Sequence, residues 1–104
     1  MKRLLTAVSA LALGTMAHAD GHANSVTLQL QWVTQSQFAG YYVALDQGMY
    51  EAEGLDVTIL SGGPDIAPPQ VLAGGGADAM LNWLPSTLAA RAKCLPGVKF
   101  AQPL

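Results

Sequence analysis

Between Val26 and Leu60 the chain reads as strand, helix and strand, and no other feature of the sequence restricts its fold as much. Val26, Leu28, Leu30 and Trp32 fall on one face of an extended segment, and Thr27, Gln29 and Gln31 on the other, which is the period of a β-strand. The polar run Thr34–Gln37 forms a turn in which Ser36 is placed to cap a helix. Phe38, Tyr41, Tyr42, Leu45 and Met49 then recur at the spacing of one helix face. That spacing predicts a helix from Gln37 to Gln47, ended by Gly48 in the left-handed conformation. Met49–Glu53 is a turn or a short helical tail closed by Gly54, and Leu55–Leu60, rich in branched residues, is a second strand. Two strands separated by a helix cannot pair as a hairpin. The chain must cross over, and the strands must run parallel.

The same alternation continues. Ser61, Gly62, Gly63, Pro64 and Asp65 make a loop, and Pro68 and Pro69 open a short helix through Leu72. Gly74–Gly76 ends that helix, Ala77–Trp83 reads as a third, largely buried strand, and Leu84 and Pro85 lead into a helix through Lys93. Val98–Ala101 is expected to begin a fourth strand. The order predicts an α/β fold with a parallel, doubly wound sheet and helices on both faces. Such sheets bind ligands in the crevice beyond the carboxyl ends of their strands. Three segments therefore become candidates: Trp32–Gln37, Ser61–Asp65 and Asn82–Thr87.

Ahead of this unit stand Lys2 and Arg3, an apolar stretch from Leu4 to Met16, and small residues at Ala17 and Ala19. That order predicts a secretory signal peptide over residues 1–19, cleaved between Ala19 and Asp20, with a periplasmic product. A membrane anchor would need about 20 apolar residues, whereas this stretch is shorter and broken by Ser9, Gly14 and Thr15. The expected exported domain, residues 20–104, keeps all seven acids but only Arg91, Lys93 and Lys99 among the bases, a formal charge of −4. An acidic domain of this kind has no electrostatic footprint for nucleic acid or an anionic membrane. Cys94 is the sole cysteine, which rules out an intramolecular disulfide and any paired-cysteine metal site. No metal and no cofactor is expected. The fold must rest on burial, and 51% hydrophobic residues suit that.

Each candidate side chain has two readings. Trp32 ends the first strand at the crevice mouth, where its indole would offer a stacking surface to a flat ring; sharing a face with Val26, Leu28 and Leu30, it would equally fill the core. Asn82 and Trp83 occupy the corresponding end of the third strand, before a helix start that offers free backbone N–H groups. With Ser86 they form a polar clamp, or else Ser86 caps and Trp83 packs. Gly62 and Gly63 let backbone approach a ligand, or serve an ordinary tight turn. Neither glycine-rich run is a nucleotide loop: Gly62–Gly63 lacks the accompanying lysine, and Gly74–Gly76 precedes a strand. Gln37 closes the first crevice segment. Of Tyr41 and Tyr42, one belongs to the core and the other to the cleft rim, and the sequence does not say which. Asp46, Glu51, Glu53 and Asp56 are solvated surface. Catalysis has no evident machinery: His18 leaves with the leader, His22 lies just beyond it, and Ser61 and Ser86 have no base beside them.

The stretches FAGYYVA at Phe38–Ala44, EGLDVTIL at Glu53–Leu60 and GGPD at Gly62–Asp65, set in a similarity running from Val26 to Lys93, resemble a known family. They are similar to the periplasmic solute-binding proteins of ABC importers that carry thiamine pyrimidine precursors, related to binders of nitrate, taurine and alkanesulfonates. The resemblance implies type II periplasmic-binding-protein topology: two lobes that close on a small molecule, with this chain forming part of the first lobe. It implies a small-molecule solute and a membrane permease as partners and a monomer when complete; the ligand contacts expected from the placement of the residues themselves are Trp32, Gln37, Tyr41, Gly62, Gly63, Asn82, Trp83 and Ser86. A riboflavin-type solute is a further alternative. An enzymatic alternative also exists, because fungal pyrimidine synthases share the fold and by resemblance use histidine and a cysteine-rich segment. A sensor domain of a membrane receptor is a third reading. After Lys93 this chain departs from the family pattern, with Cys94, Leu95, Pro96 and Gly97 in place of a small residue and a short strand.

Overall fold

The computed structural model describes residues 24–103; the expected signal peptide and its cleavage position lie outside the described residues. The chain runs β1 (Asn24–Gln29), a single 3-10 turn (Ser36–Phe38), α1 (Ala39–Asp46), α2 (Met49–Ala52), β2 (Leu55–Leu60), α3 (Pro68–Ala73), β3 (Ala79–Met80) and α4 (Leu84–Ala92). All three strands are parallel, in the order β2-β1-β3. The α/β class and the parallel sheet are as the sequence predicts.

This strand order fixes where the helices go. From β1 the chain steps to β2 on one side, then returns past β1 to β3 on the other. Parallel crossovers are right-handed almost without exception, so the reversal places α1–α2 and α3 on opposite faces. It also makes the gap between β1 and β3 a topological switch point, beyond which a crevice opens.

Strand β1 is the shared partner. Asn24 pairs with Leu55 and the register continues to Gln29 with Leu60. Leu30 then donates its N–H to the Leu60 carbonyl at 2.8 Å. On its other edge β1 pairs Leu28 with Ala79 and Gln29 with Met80. Asp78 closes that ladder below: its N–H donates to the Thr27 carbonyl at 2.9 Å, and its Oδ2 accepts the Thr27 N–H at 2.8 Å.

Burial gathers at the carboxyl end of β1. Leu30 and Phe38 are the largest fully buried side chains, joined in the core by Val57 and Ala77. Gln29 is 2% exposed, although alternation sets it on the polar face; because a parallel sheet is covered on both faces, that face is interior too. The amide meets the cost of burial with the two protons of Nε2, donated to the carbonyls of Leu30 (2.8 Å) and Ser61 (3.2 Å), one of them shared with Leu60 (3.4 Å). One side chain thus ties the exits of β1 and β2 together.

Several boundaries differ from the sequence reading. The helix expected over Gln37–Gln47 begins as the 3-10 turn and becomes α-helical only at Ala39. Ser36 lies inside that turn and caps nothing; extended Gln35 holds the cap position. Leu45 and Met49, expected on the covered face, are exposed. The third strand shrinks from Ala77–Trp83 to Ala79–Met80, since its last ladder bond runs from the Leu81 N–H to the Gln29 carbonyl and no strand continues beside it. Val98–Ala101 forms no strand: it has no paired neighbour, and Val98 and Phe100 lie open to solvent. Cys94, at φ 69°, terminates α4 where glycine is usual, with its N–H donating to Arg91 and that of Leu95 to Ala90.

The loop after β2 runs hard against the exit of β1. Gly62 donates its N–H to the Trp32 carbonyl at 2.9 Å, and a Cβ there would sit 2.6 Å from the Gln31 carbonyl carbon. At Gly63 the nearest atom would be Val33 Cγ1 at 4.0 Å, an ordinary contact. Gly62→Ala is therefore expected to destabilise the chain by about 1–3 kcal/mol through overpacking, and Gly63→Ala by well under about 1 kcal/mol. Urea denaturation of the two variants side by side checks the difference.

Candidate functional site

The switch point holds a pocket of about 380 Å³, lined by Gln31, Trp32, Gln35, Gln37 and Trp83. Small-molecule sites usually measure about 300–1,000 Å³. Gln31 and Trp32 follow the end of β1, Gln35 and Gln37 come from the turn before α1, and Trp83 stands between β3 and α4. Two strand exits and the intervening turn thus converge on one hollow.

Both indoles face solvent. Trp32 is 41% exposed and Trp83 67% exposed, so each presents part of its ring to solvent at the hollow. A backbone contact and a side-chain contact hold the Trp32 side of the hollow: the Gly62 N–H donates to the Trp32 carbonyl, and the Thr34 hydroxyl shares a 3.0 Å hydrogen bond with that of Tyr42 on α1. On the Trp83 side, Asn82 Nδ2 donates to Ser86 Oγ at 3.1 Å and to Thr87 Oγ1 at 3.3 Å. Thr87 Oγ1 donates in turn to the Trp83 carbonyl at 3.0 Å.

Chemically the lining is simple. Two indoles supply flat, polarisable faces, and three glutamine amides each supply two donors and an acceptor. No charged side chain lines the hollow. Among the described residues no cluster of histidine, cysteine and acids could hold a metal ion, and no helix is long and apolar enough to cross a membrane.

Three of the eight residues singled out from sequence, Trp32, Gln37 and Trp83, line the pocket together. Asn82 and Ser86 stand behind Trp83, bonded to one another. Gly62 and Gly63 are buried under the β1 exit and line no pocket wall. Tyr41 is half-buried on α1, away from the lining. Gln31 and Gln35 also line the pocket; the sequence reading places Gln31 only on a strand face and takes in Gln35 only within the Trp32–Gln37 candidate segment, without singling it out, and their position beside Trp32 is the signal that points to them.

Residues 35–104 match the NMT1/THI5-like protein family. The chain belongs to that family. Within the NMT1/THI5-like family, it is 34% identical over 82 residues to the formylaminopyrimidine-binding protein of Halalkalibacterium halodurans, a match covering 79% of this chain and 25% of that protein. The chain thus spans about a quarter of its relative's length. The match to the NMT1/THI5-like family begins at Gln35 and so takes in two of the glutamines and one of the indoles of the pocket.

Away from the pocket, burial pushes the Tyr41 phenol above the usual tyrosine range. Tyr50 is raised for the same reason, with repulsion from Tyr41 adding to it. A phenol whose folded pKa is raised favours folding below its unfolded pKa, about 10, because above that value the unfolded chain releases the proton first. Stability should therefore be level from neutral pH to about pH 9 with respect to these groups and decline above about pH 10. Urea midpoints measured against pH test this, and Tyr41→Phe should flatten the alkaline decline.

Proposed function

We propose that this chain forms part of the first lobe of an exported solute-binding protein that captures a small heteroaromatic solute, a pyrimidine of the thiamine-precursor type. In this reading residues 1–19 direct export and are removed after Ala19, residues 20–104 belong to the periplasmic product, and the bound solute passes to the membrane permease of an ABC importer. The pocket at the switch point is one wall of a cleft, and a second lobe closes on it.

The observation that carries this reading is the pair of open indoles, Trp32 and Trp83, at the ends of neighbouring strands around a hollow otherwise lined by amides. An aromatic base stacked on such a surface gains about 1–3 kcal/mol per ring, judged by alanine substitution. Ring nitrogens and an exocyclic amine require both acceptors and donors, and glutamine offers both. Nitrate, taurine and alkanesulfonates carry an anionic group that would call for a cation or a ring of N–H donors, and this wall presents no cationic side chain. Membership of the NMT1/THI5-like family and the name of the bacterial relative favour the same class of solute. The enzymatic alternative has less support, since the relative that this chain resembles is named a binding protein.

A graft tests the proposal. Residues 24–93 are placed in the formylaminopyrimidine-binding protein in exchange for its matched segment, and the hybrid is titrated calorimetrically with aminopyrimidines, a flavin, nitrate and an alkanesulfonate. Pyrimidine binding is expected, weakened roughly 5- to 150-fold by Trp32→Ala or Trp83→Ala, the equivalent of about 1–3 kcal/mol. Binding of nitrate or sulfonate in preference to any pyrimidine would overturn it.

A further inference from the structure

Trp83 is the more exposed of the two indoles, with two-thirds of its surface open to solvent. Burial therefore does little to fix its position. It sits at the cap of α4 with extended backbone (φ −63°, ψ 138°), and no side chain accepts a hydrogen bond from the helix's first N–H groups in the usual capping manner. A wall residue so placed would swing with its loop unless something else restrained it.

The restraint is a relay of side chains behind the loop. The Trp83 carbonyl accepts two hydrogen bonds: the helical one from the Thr87 N–H at 2.9 Å and one from Thr87 Oγ1 at 3.0 Å. Because the Thr87 hydroxyl spends its single proton on that carbonyl, it can only accept from Asn82 Nδ2, which lies 3.3 Å away. The second proton of the same amide goes to Ser86 Oγ at 3.1 Å. Asn82 thus bridges the exit of β3 to the first turn of α4, and Trp83 is the residue spanned. Its Nδ2 has no further proton to offer a ligand.

We infer that Asn82 and Thr87 are positioning residues that hold the backbone of Trp83 in place before any solute arrives. The inference rests on the proposed solute pocket and deepens it, because it reassigns the amide nitrogen of Asn82 from ligand clamp to loop brace. Pre-ordering matters energetically: immobilising a side chain on binding costs about 0.5–1.5 kcal/mol, and a wall ordered in advance avoids part of that loss. The relay fixes the Cα position and the backbone dihedrals and leaves the indole its own torsions.

The test is NMR relaxation of the graft hybrid without solute, reading backbone amide order parameters at Trp83, Leu84 and Ser86. In the parent hybrid these should lie near the rigid value of about 0.85. Thr87→Val keeps the shape and removes the hydroxyl, and Asn82→Ala removes the bridge. Each should lower the values at Trp83 and Leu84 toward the flexible range, below about 0.6, while β1 and β2 amides stay unchanged. Thr87→Ser, which retains the hydroxyl, should restore them. Unchanged order in Thr87→Val and Asn82→Ala, or failure of Thr87→Ser to restore it, overturns the relay. A general loss of order across the sheet would show a purely structural role and also overturn it. Since no solute is present, these outcomes are independent of the graft titrations, whose failure would count against the pocket reading alone.

Discussion

Everything in this chain hangs on the two-sided pairing of β1. It is the central strand, bonded to β2 on one edge and to β3 on the other, and its carboxyl end is the best-buried part of the described structure. The Gln29 amide draws three carbonyls together there, Leu30 and Phe38 are fully buried, and Gly62 lets the β2 exit lie against Gln31. The pocket begins at the very next residues. Its walls are therefore anchored to the firmest part of the sheet, which is what a binding surface built from exposed tryptophans requires, because those side chains gain little order from packing of their own.

Strand order then converts pairing into location. An order of β2-β1-β3 reverses direction at β1, and the reversal leaves the crevice between the β1 and β3 exits free of a crossover helix. Trp32 and Trp83 come from segments far apart in sequence and meet only because of this reversal. Several apolar side chains remain exposed: Val43, Leu45 and Met49 around α1, and Leu84 and Leu88 on α4.

The sequence made the strand–helix–strand order and the parallel sheet legible, because each depends on local period or on short connections. Burial of Gln29 was not legible. It depends on a second helical layer and on the carbonyls of Leu60 and Ser61, which no local pattern announces. The same holds for Asp78, whose carboxylate completes the β1–β3 ladder from more than fifty positions away in sequence. The exposure of Trp32 and Trp83 was likewise not legible, because it is a tertiary quantity. By sequence Gly62 serves a ligand approach or a tight turn, whereas the structure shows that a side chain there has no space against Gln31. The short length of β3 and the missing strand at Val98–Ala101 reflect pairing partners, which strand propensity cannot supply.

The central claim is that a flat heteroaromatic solute lies against the indoles at the ends of β1 and β3. Intermolecular NOEs measured on the graft hybrid with a bound aminopyrimidine test it most directly. The account predicts contacts from the solute ring protons to the indole protons of both Trp32 and Trp83. Contacts confined to the Tyr41–Tyr50 side of α1, or to neither tryptophan, would contradict it.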